Sequence, residues 1–392
     1  MNDSNGYSLR DYGMMVADAR RTRPFAEAVR RAVKPGSVVL DIGTGTGFFA
    51  MLACRLGAAR VYAIEPAPAI LAAKRCAVVQ PEYQKITWIR GLSTDLDLPE
   101  RVDVVIGDLH GVLPFYPGNI TSLVDARERH LKPGGTVIPR RDVLWAVPVY
   151  APDEYVHAED PWRKNEYGID FSPIRNEIVN EWWRAESAPV PQERLLAEPQ
   201  SWAEVDYRTV VSPNASEQVQ FDVARDGTMH GYYVWFDGEM ADGLGYSNSP
   251  LLPELVYGRG FFPLPKPVDV RTGDRLQATF GAHLVDAKYL MHWNTRLTDS
   301  QDVQKAAFRQ STFQARPLQV RDLARALPGH RPRLTAAGEI DLVVLQGLAA
   351  GDALDAIATR LIEGFPQRYH QPANAMRHVA KMAARYEADD GD

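Results

Sequence analysis

Residues 107–118, GDLHGVLPFYPG, bring together side chains that could do chemistry. They follow an apolar run, VDVVI, that is typical of a buried strand. Open α/β sheets place their active sites just beyond the carboxyl ends of such strands. Asp108 can pair with a cation and His110 can act as a base near neutral pH, so we predict both as catalytic residues. A purely structural role in the loop is the alternative for His110.

Residues 41–47, DIGTGTG, predict a cofactor loop between a strand and a helix, because glycines at alternate positions let the backbone approach a ligand closely. This spacing differs from the G-x-G-x-x-G of dinucleotide folds. Glu65 ends the next strand, where a carboxylate can accept bonds from both ribose hydroxyls. The pattern therefore favours S-adenosylmethionine over NAD, with S-adenosylhomocysteine as the product. The cofactor-binding residues predicted here are Asp41, Gly43, Thr44, Gly45, Gly47, Glu65 and Pro66, together with Asp108, whose carboxylate we expect to face the cofactor.

The elements around these motifs alternate between strand and helix over residues 36–140, which predicts an α/β, Rossmann-like, doubly wound parallel sheet. A helix over residues 18–33 precedes it, with Pro24 near a break or in the first turn. We expect residues 1–140 to form the cofactor-binding domain.

The composition and the hydrophobic pattern of the sequence change after residue 140. Residues 141–312 are rich in aromatic residues, proline and glycine in short alternating segments, which predicts an antiparallel β-barrel domain. Residues 313–392 predict a small helical module, with a winged-helix-like unit as one form of it: two short helices joined by a Gly-Asp turn, a third amphipathic helix, and a frayed tail at residues 387–392.

Composition limits the classes of function. The chain has 392 residues and a net charge of −6, which disfavours binding to nucleic acid. From Arg316 onward, ten basic and ten acidic residues balance. Cys54 and Cys76 show no metal-ligand spacing, so we expect no metal and a reducing cytoplasm. We also expect no signal peptide and no membrane span, because the N-terminus lacks an apolar core and no apolar run reaches about 20 residues.

Residues 12–25, YGMMVADARRTRPF, resemble the N-terminal helical segment of the protein arginine methyltransferase family, and the resemblance extends over about residues 7–300. In that family this segment closes over the cofactor, and its arginine pairs with the cofactor carboxylate. The resemblance therefore implies that Tyr12, Met15 and Arg21 bind the cofactor. It places Ser93 and Thr94 where the family contacts adenine, although the family usually has an acid at the second position.

Four further segments resemble the family's dimerisation arm and barrel: YGIDFSPI, AEVDYRTV, GYSNSP and VRTGDRL. The resemblance implies an arm at about residues 155–200 and a homodimer. Four apolar residues of the arm recur at roughly helical spacing, and we expect them to form one face: Ile174, Ile178, Trp182 and Trp183.

The sequence departs from the family at the site of substrate recognition. The family holds the substrate guanidinium with two glutamates in the loop after the fourth strand; these positions fall on Asp108 and Pro117. The family's Thr-His-Trp loop falls on residues 255–257, Leu-Val-Tyr. A literal Met-His-Trp at residues 291–293 is out of order, and we predict that it is part of a barrel strand.

Three functions remain open from the sequence. The first is an S-adenosylmethionine-dependent methyltransferase that acts on a non-arginine acceptor, such as a specialised metabolite or a peptide. The second is a true arginine N-methyltransferase that works through Asp108. The third is a cofactor-binding regulatory protein whose C-terminal module recognises a partner, with a peptide or a second copy favoured over DNA because the charge is balanced.

Overall fold

The computed structural model describes residues 7–164, 166–185, 189–316, 325 and 328–386. The chain divides into two compact units, Met1–Pro317 and Leu318–Asp392. The predicted frayed tail, residues 387–392, lies outside the described residues. Within the described part of the chain, no helix combines the length and the apolar character that crossing a membrane requires.

The first unit begins with a parallel sheet, which confirms the predicted α/β doubly wound architecture. Its strands are β1 (Val38–Ile42), β2 (Arg60–Ile64), β3 (Ile86–Ile89), β4 (Val102–Gly107) and β5 (Leu131–Ile138). Their order in the sheet is β3-β2-β1-β4-β5, and every neighbouring pair is parallel. The strand order reverses between β1 and β4, and such a switch point opens a crevice at the carboxyl ends of the two strands. The glycine loop follows β1 and Asp108 follows β4, so both motifs meet at this crevice.

The helices around this parallel sheet are α1 (Leu9–Ala17), α2 (Ala19–Ala32), α3 (Phe48–Arg55), α4 (Ala69–Val78) and α5 (Asn119–Arg129). Ser8 and Asp11 form a reciprocal capping box at the start of α1, and the Asp18 side chain accepts from the backbone N–H of Arg20 to begin α2. The prediction that Pro24 marks a break or a first turn is wrong. The helix continues through Pro24 because its buried face, which includes Phe25, packs into the core on either side.

The predicted antiparallel domain follows as two antiparallel sheets. Its long strands are β6 (Arg141–Val149), β8 (Gln200–Asp206), β9 (Ala215–Asp222), β10 (Gly227–Ala241), β12 (Gly260–Val270), β13 (Arg275–Val285), β14 (Lys288–Thr298) and β15 (Gln304–Ser311). With the short strand β7 (Trp183–Arg184), one sheet has the order β7-β12-β10-β6-β8, and β11 (Leu244–Ser247) pairs with β10. The other sheet has the order β15-β14-β13-β9. The Met-His-Trp segment lies in β14, as predicted, with Trp293 fully buried.

In the segment predicted as a dimerisation arm, the described residues include the helices α6 (Pro152–Arg163) and α7 (Arg175–Val179). The expectation that Ile174, Ile178, Trp182 and Trp183 form one face is wrong. The helix ends at Val179, and the two tryptophans then follow an extended path along β12. Trp182 stacks on Phe262 and Trp183 packs on Phe261, so both rings pack within their own chain.

Among residues 328–386, the described stretch of the second unit, three helices occur: α8 (Ala336–Ala349), α9 (Leu354–Gly364) and α10 (Pro372–Tyr386). These are the two short helices and the third amphipathic helix that the sequence predicts. Gly351 takes a left-handed backbone conformation in the turn between α8 and α9. The core of this unit is apolar and includes Ile340, Val344, Ile357, Leu361 and Val379.

Candidate active site

A cavity of about 820 Å³ opens at the carboxyl ends of β1 and β4, between the parallel sheet, α1 and the antiparallel domain. Residues from all three of these parts line its wall. Most of the predicted site residues lie there: Tyr12, Met15, Arg21, Asp41, Gly43, Thr44, Gly45, Glu65, Pro66, Asp108 and His110. Residues more than 90 positions apart in sequence therefore meet in one cleft, as a binding site requires.

The glycine loop is held in place by Glu65. The backbone N–H of Gly45 donates to Glu65 Oε2 at 2.9 Å, and the N–H of Ala67 donates to Oε1 at 2.8 Å. Gly45 has φ +54°, and an added Cβ would lie 2.4 Å from the ring of Tyr12. Any larger residue would thus be strained and would push Tyr12 out of its place over the loop.

Asp41 lies beneath the loop and is almost fully buried. Its Oδ2 accepts from the hydroxyl of Thr44 at 2.5 Å. Burial raises the pKa of Asp41 to about 7, despite the hydrogen bonds from Thr44 and from the backbone of Ala50, which lower it. Without a cationic partner, this carboxylate is therefore partly protonated near neutral pH.

Arg21 and Asp108 form an ion pair at the centre of the cavity, with side chains only 7% and 9% exposed. The guanidinium Nη2 contacts Asp108 Oδ2, and Nη1 donates to the carbonyl of Met15 at 3.0 Å. Tyr257 completes the group. Its hydroxyl accepts from Arg21 Nε at 2.9 Å and donates to Asp108 Oδ1 at 2.6 Å. Both oxygens of the Asp108 carboxylate are therefore engaged.

His110 lies behind Asp108 and its side chain has no exposed surface. Its Nδ1 is 3.1 Å from Asp108 Oδ1, and its Nε2 is 2.8 Å from Asp142 Oδ2. Asp142, on β6, also accepts from the hydroxyl of Tyr207 at 2.6 Å. Because both ring nitrogens face carboxylates, His110 cannot take a proton directly from a molecule in the cavity. The prediction of His110 as the base that touches the acceptor does not fit this geometry.

A second ion pair lies at the rim of the cavity. Arg184 Nη2 donates to Glu254 Oε1 at 2.7 Å, and both residues line the cavity. Tyr116 and Pro117, from the loop after β4, line the same region. The rim therefore combines one exposed cation, one acid and an aromatic ring.

Three predicted cofactor residues do not line this cavity: Gly47, Ser93 and Thr94. Gly47 begins α3 with φ +81°, and an added Cβ would lie 2.6 Å from the ring of Trp88, so its role is to let the loop turn. Ser93 is buried, and its hydroxyl has no hydrogen-bond partner among the described residues. Contact of Ser93 and Thr94 with adenine stays a prediction.

Four charged or hydroxyl-bearing participants of the site that the sequence does not predict are Asp142, Tyr207, Arg184 and Glu254. The sequence indicates Tyr257 only as part of the loop that differs from the family's Thr-His-Trp. One signal for Asp142 was available, since it is a lone acid near the start of an otherwise apolar strand. A buried charge needs a partner, so such an acid predicts a counter-charge nearby. Nothing local in the sequence identifies that partner as His110.

Comparison with known families agrees with this architecture. Residues 39–135 match the family model of a methyltransferase domain, and residues 143–296 match that of the arginine methyltransferase oligomerization subdomain. The first match spans the glycine loop and Asp108. The second spans most of the antiparallel domain, including Tyr207 and Tyr257.

Curated relatives carry related names. The chain is 31% identical to a probable protein arginine N-methyltransferase 6 of Arabidopsis thaliana over 60% of this chain and 55% of that protein. It is 27% identical to protein arginine N-methyltransferase 2 of Mus musculus over 78% of this chain and 73% of that protein. The chain thus spans little more than half the length of the Arabidopsis relative.

Solved structures show the same fold. Protein arginine methyltransferase 10 of Arabidopsis thaliana matches with a TM-score of 0.66 and 21% identity, over 78% of this chain and 97% of that one. A chain of the Trypanosoma brucei PRMT1 enzyme–prozyme heterotetramer with AdoHcy matches with a TM-score of 0.69 and 19% identity, over 79% and 99%. The two family models and these relatives support a class I S-adenosylmethionine-dependent methyltransferase of the arginine methyltransferase type, and the solved structures share its fold.

Proposed function

We propose that the chain transfers a methyl group from S-adenosylmethionine to an acceptor other than arginine, such as a specialised metabolite or a peptide. The observation that supports this most is the state of Asp108. Its two oxygens already contact Arg21, Tyr257 and His110, and Pro117 stands where the family's second glutamate falls. A guanidinium would find no free pair of carboxylates to hold its two edges.

The residues of the cavity fit the cofactor. Glu65 stands at the carboxyl end of β2, where it can accept from the ribose hydroxyls. Arg21 presents a guanidinium for a carboxylate, and Asp41 a carboxyl group for an ammonium. The unpartnered, buried hydroxyl of Ser93 is a polar group that a bound adenine could satisfy. These roles are proposals, and each rests on the position of the side chain.

The chemistry requires placement rather than strong acid–base catalysis. The bound sulfonium supplies an electrophilic methyl group. The chain must hold the acceptor's lone pair about 3 Å from that carbon and exclude water. Asp108 and Tyr257 are the polar groups at the centre of the cavity, so we assign them the orientation of the acceptor. Tyr257 keeps its proton, since burial raises its pKa.

Arginine N-methylation is the second candidate, and one observation favours it. Glu254 lines the cavity and could replace the second glutamate from a different loop. In the structure, however, Glu254 pairs with Arg184 at 2.7 Å. It would have to release that partner to receive a guanidinium. We therefore rank this candidate below a non-arginine acceptor.

The test is methyl transfer from labelled S-adenosylmethionine. The purified chain is incubated with a metabolite extract, with an extract of small peptides and with an Arg-Gly-rich peptide, and mass spectrometry follows the gain of one methyl group. We expect a product from one of the extracts and none at a useful rate from the Arg-Gly peptide. Efficient turnover of the Arg-Gly peptide would promote the second candidate. Cofactor binding without any product would favour the regulatory alternative.

We also propose a homodimer. The matched family model describes an oligomerization subdomain. Exposed apolar side chains occur in two places that could form complementary surfaces. Leu71, Val78 and Val79 are 50%, 84% and 74% exposed on and just after α4, and Val156 and Trp162 are 48% and 40% exposed on α6. Apolar surface of this kind is typical of association sites.

A reducing, cytoplasmic location is likewise a proposal. It rests on the use of cysteine: Cys54 is buried, Cys76 is exposed, and both are free thiols. A fluorescent fusion of the full chain, followed by fractionation, would test it. Recovery from an oxidising compartment would contradict it.

A further inference from the structure

Two of the described residues that line the cavity are arginines, Arg21 and Arg184. Arg21 is committed, because three of its nitrogens contact other residues of the chain. Arg184 makes a single polar contact within the described part of the chain, from Nη2 to Glu254 Oε1 at 2.7 Å, and its Nε and Nη1 have no partner there. Since a guanidinium only donates, Arg184 can hold a further acceptor of hydrogen bonds at the rim of the cavity.

The direction of the Arg184 side chain is set by Gly258. Arg184 pairs with Gly260 between β7 and β12, and its stem crosses the backbone of Gly258. A Cβ at Gly258 would lie 2.3 Å from Arg184 Nε and 2.8 Å from its Cγ. Gly258 has φ +64°, a left-handed conformation that residues with a side chain rarely adopt. A glycine at this position therefore makes room for the guanidinium at the rim.

The loop that carries Tyr257 and Gly258 is anchored by Asn248, which is buried. The Nδ2 of Asn248 donates to the carbonyl of Gly258 and, at 3.2 Å, to that of Val112 in the loop after β4. One buried amide thus ties the two loops that line the acceptor side of the cavity. The spacing between Tyr257 and Arg184 is therefore set by the fold, as selection of an acceptor by length requires.

The acids of the cavity wall are engaged by the chain itself. Among the described residues that line the cavity, each acid accepts from another residue: Asp11, Asp18, Asp41, Glu65, Asp108 and Glu254. A cationic group would have to displace one of these contacts, whereas an anionic group finds unpaired donors on Arg184. The charge of the wall that is open to a ligand is therefore positive.

Arg184 acts on the mouth of the cavity, where Tyr7 and Tyr116 are 47% and 42% exposed. Burial raises the pKa of Tyr7, and the charge of Arg184 opposes this rise, so the guanidinium is close enough to influence that hydroxyl. Tyrosine rings offer an apolar surface to the body of a ligand. A molecule that packs on them can therefore place an anionic group at Arg184.

We propose that Arg184 is a specificity-determining residue that binds a carboxylate of the methyl acceptor, while Tyr257 and Asp108 orient the group that is methylated. The proposal rests on the methyl-transfer function proposed above. It names the class of acceptor, a molecule with a carboxylate apart from its methylated atom. Glu254 need not leave, because it occupies only Nη2 of Arg184. A free metabolite and the C-terminus of a peptide carry the same carboxylate chemistry, and the experiments below distinguish them.

The first experiment uses two probes of the same shape and different charge, para-fluorobenzoate and para-fluorobenzamide. Fluorine NMR measures their binding with S-adenosylhomocysteine saturating. We expect wild type to bind the carboxylate about tenfold more tightly than the amide. Arg184→Gln should remove this preference. Arg184→Lys should keep part of it, because an ammonium retains the charge but cannot form two parallel bonds.

Two further variants sharpen the result. Arg194→Gln is the matched control, because Arg194 also pairs with one exposed acid, Asp153, but does not line the cavity, so the preference should stay. Glu254→Gln should increase the preference, since it removes a negative charge beside Arg184. Equal binding of the two probes to wild type, or an unchanged preference in Arg184→Gln, would overturn the inference.

The second experiment identifies the source of the carboxylate. A small-molecule fraction and a peptide fraction of a cell extract are each divided. One half is amidated with carbodiimide and ammonia, and the other is taken through the same steps without carbodiimide. Uptake of label from S-adenosylmethionine is then measured. We expect one fraction to be methylated, and its amidated half to lose at least about tenfold of that uptake.

The two proposals fail separately. Equal uptake in the amidated and untreated halves would contradict a carboxylate-bearing acceptor and leave methyl transfer standing. If neither fraction takes up label, the proposed function fails. The probe experiment, repeated without S-adenosylhomocysteine, then still decides whether Arg184 binds a carboxylate.

Discussion

The carboxylate of Glu65 accepts a hydrogen bond from the backbone N–H of Gly45 at 2.9 Å, and so ties the end of β2 to the glycine loop. The same carboxylate is the proposed partner of the ribose hydroxyls. Glu65→Ala should weaken binding of S-adenosylhomocysteine by about 1–3 kcal/mol, because charge-assisted bonds are lost and the loop is released. Isothermal calorimetry measures this change.

Glu65→Gln separates the two effects, since its amide oxygen can still accept from Gly45 but carries no charge. We expect an intermediate affinity. Glu82→Ala, an exposed acid in the same unit, is the matched control and should bind as wild type does. Equal affinities for wild type and Glu65→Ala would exclude Glu65 from the cofactor site.

Asp41 should make the stability of the ligand-free protein depend on pH. Its pKa in the folded chain is about 7 against an ordinary value of 3.8, so the folded state binds this proton more tightly than the unfolded state does. The free energy of unfolding contributed by Asp41 therefore falls as pH rises from about 4 to about 7. Asp41→Asn removes this loss and should be more stable than wild type at pH 8, by at most a few kcal/mol.

Denaturant unfolding at several pH values checks this. Asp97→Asn is the matched control, because the Asp97 carboxylate is 95% exposed. A wild-type curve that does not fall relative to Asp41→Asn between about pH 4 and about pH 7 would contradict the burial argument.

The sequence predicted those parts of the site that are local in the chain. The D-x-G-x-G-x-G loop, Glu65 and Asp108 all follow strands with clear apolar patterns. Because the strands alternate with helices, they run parallel, and all three motifs lie at the same edge of the sheet. The hydrogen-bonded group of Tyr257, Asp108, His110, Asp142 and Tyr207 could not be predicted in this way. Its hydrogen bonds join residues 32, 65 and 149 positions apart, so they depend on how the antiparallel domain packs on the sheet.

The failed predictions have the same origin. Helical spacing placed Trp182 and Trp183 on one face with Ile174, but the backbone leaves the helix after Val179 to pair with β12. Pro24 looked like a break because local propensity disfavours proline within a helix. Packing of the buried face of α2 outweighs that local cost.

Arg21→Lys keeps the positive charge of the side chain but should still weaken binding of the cofactor. Arg21 uses three nitrogens at once, on Tyr257, Met15 and Asp108, and a lysine ammonium cannot span these directions. We expect at least about tenfold weaker binding of S-adenosylhomocysteine, which corresponds to about 1.4 kcal/mol. The control is Arg30→Lys, an exposed arginine on the same helix. Wild-type affinity in Arg21→Lys would show that the guanidinium does not hold the cofactor.

The proposed dimer depends on exposed apolar side chains after α4. Val79→Asp places a charge in that surface and should shift the mass measured by light scattering from two chains toward one at micromolar concentration. Val211→Asp is the control, because Val211 is also highly exposed but lies in the antiparallel domain. A single-chain mass for wild type would contradict the proposed dimer. A dimeric Val79→Asp would show that the interface does not include Val79.

Pro117 occupies the position of the family's second glutamate, which makes Pro117→Glu a direct test of what else the site lacks. We expect little gain, less than about tenfold, in methyl transfer from labelled cofactor to an Arg-Gly peptide. The reason is that Asp108 remains engaged by Arg21, Tyr257 and His110, so the new carboxylate still leaves one edge of the guanidinium unpaired. An unpaired buried charge should slow transfer by about a hundredfold or more. Pro117→Gln, which changes the backbone equally but adds no charge, separates electrostatics from the loss of the proline ring. Turnover of Pro117→Glu at the rate of an ordinary arginine methyltransferase would show that the missing glutamate alone had excluded arginine, and that the contacts of Asp108 with Arg21, Tyr257 and His110 have no part in the choice of acceptor.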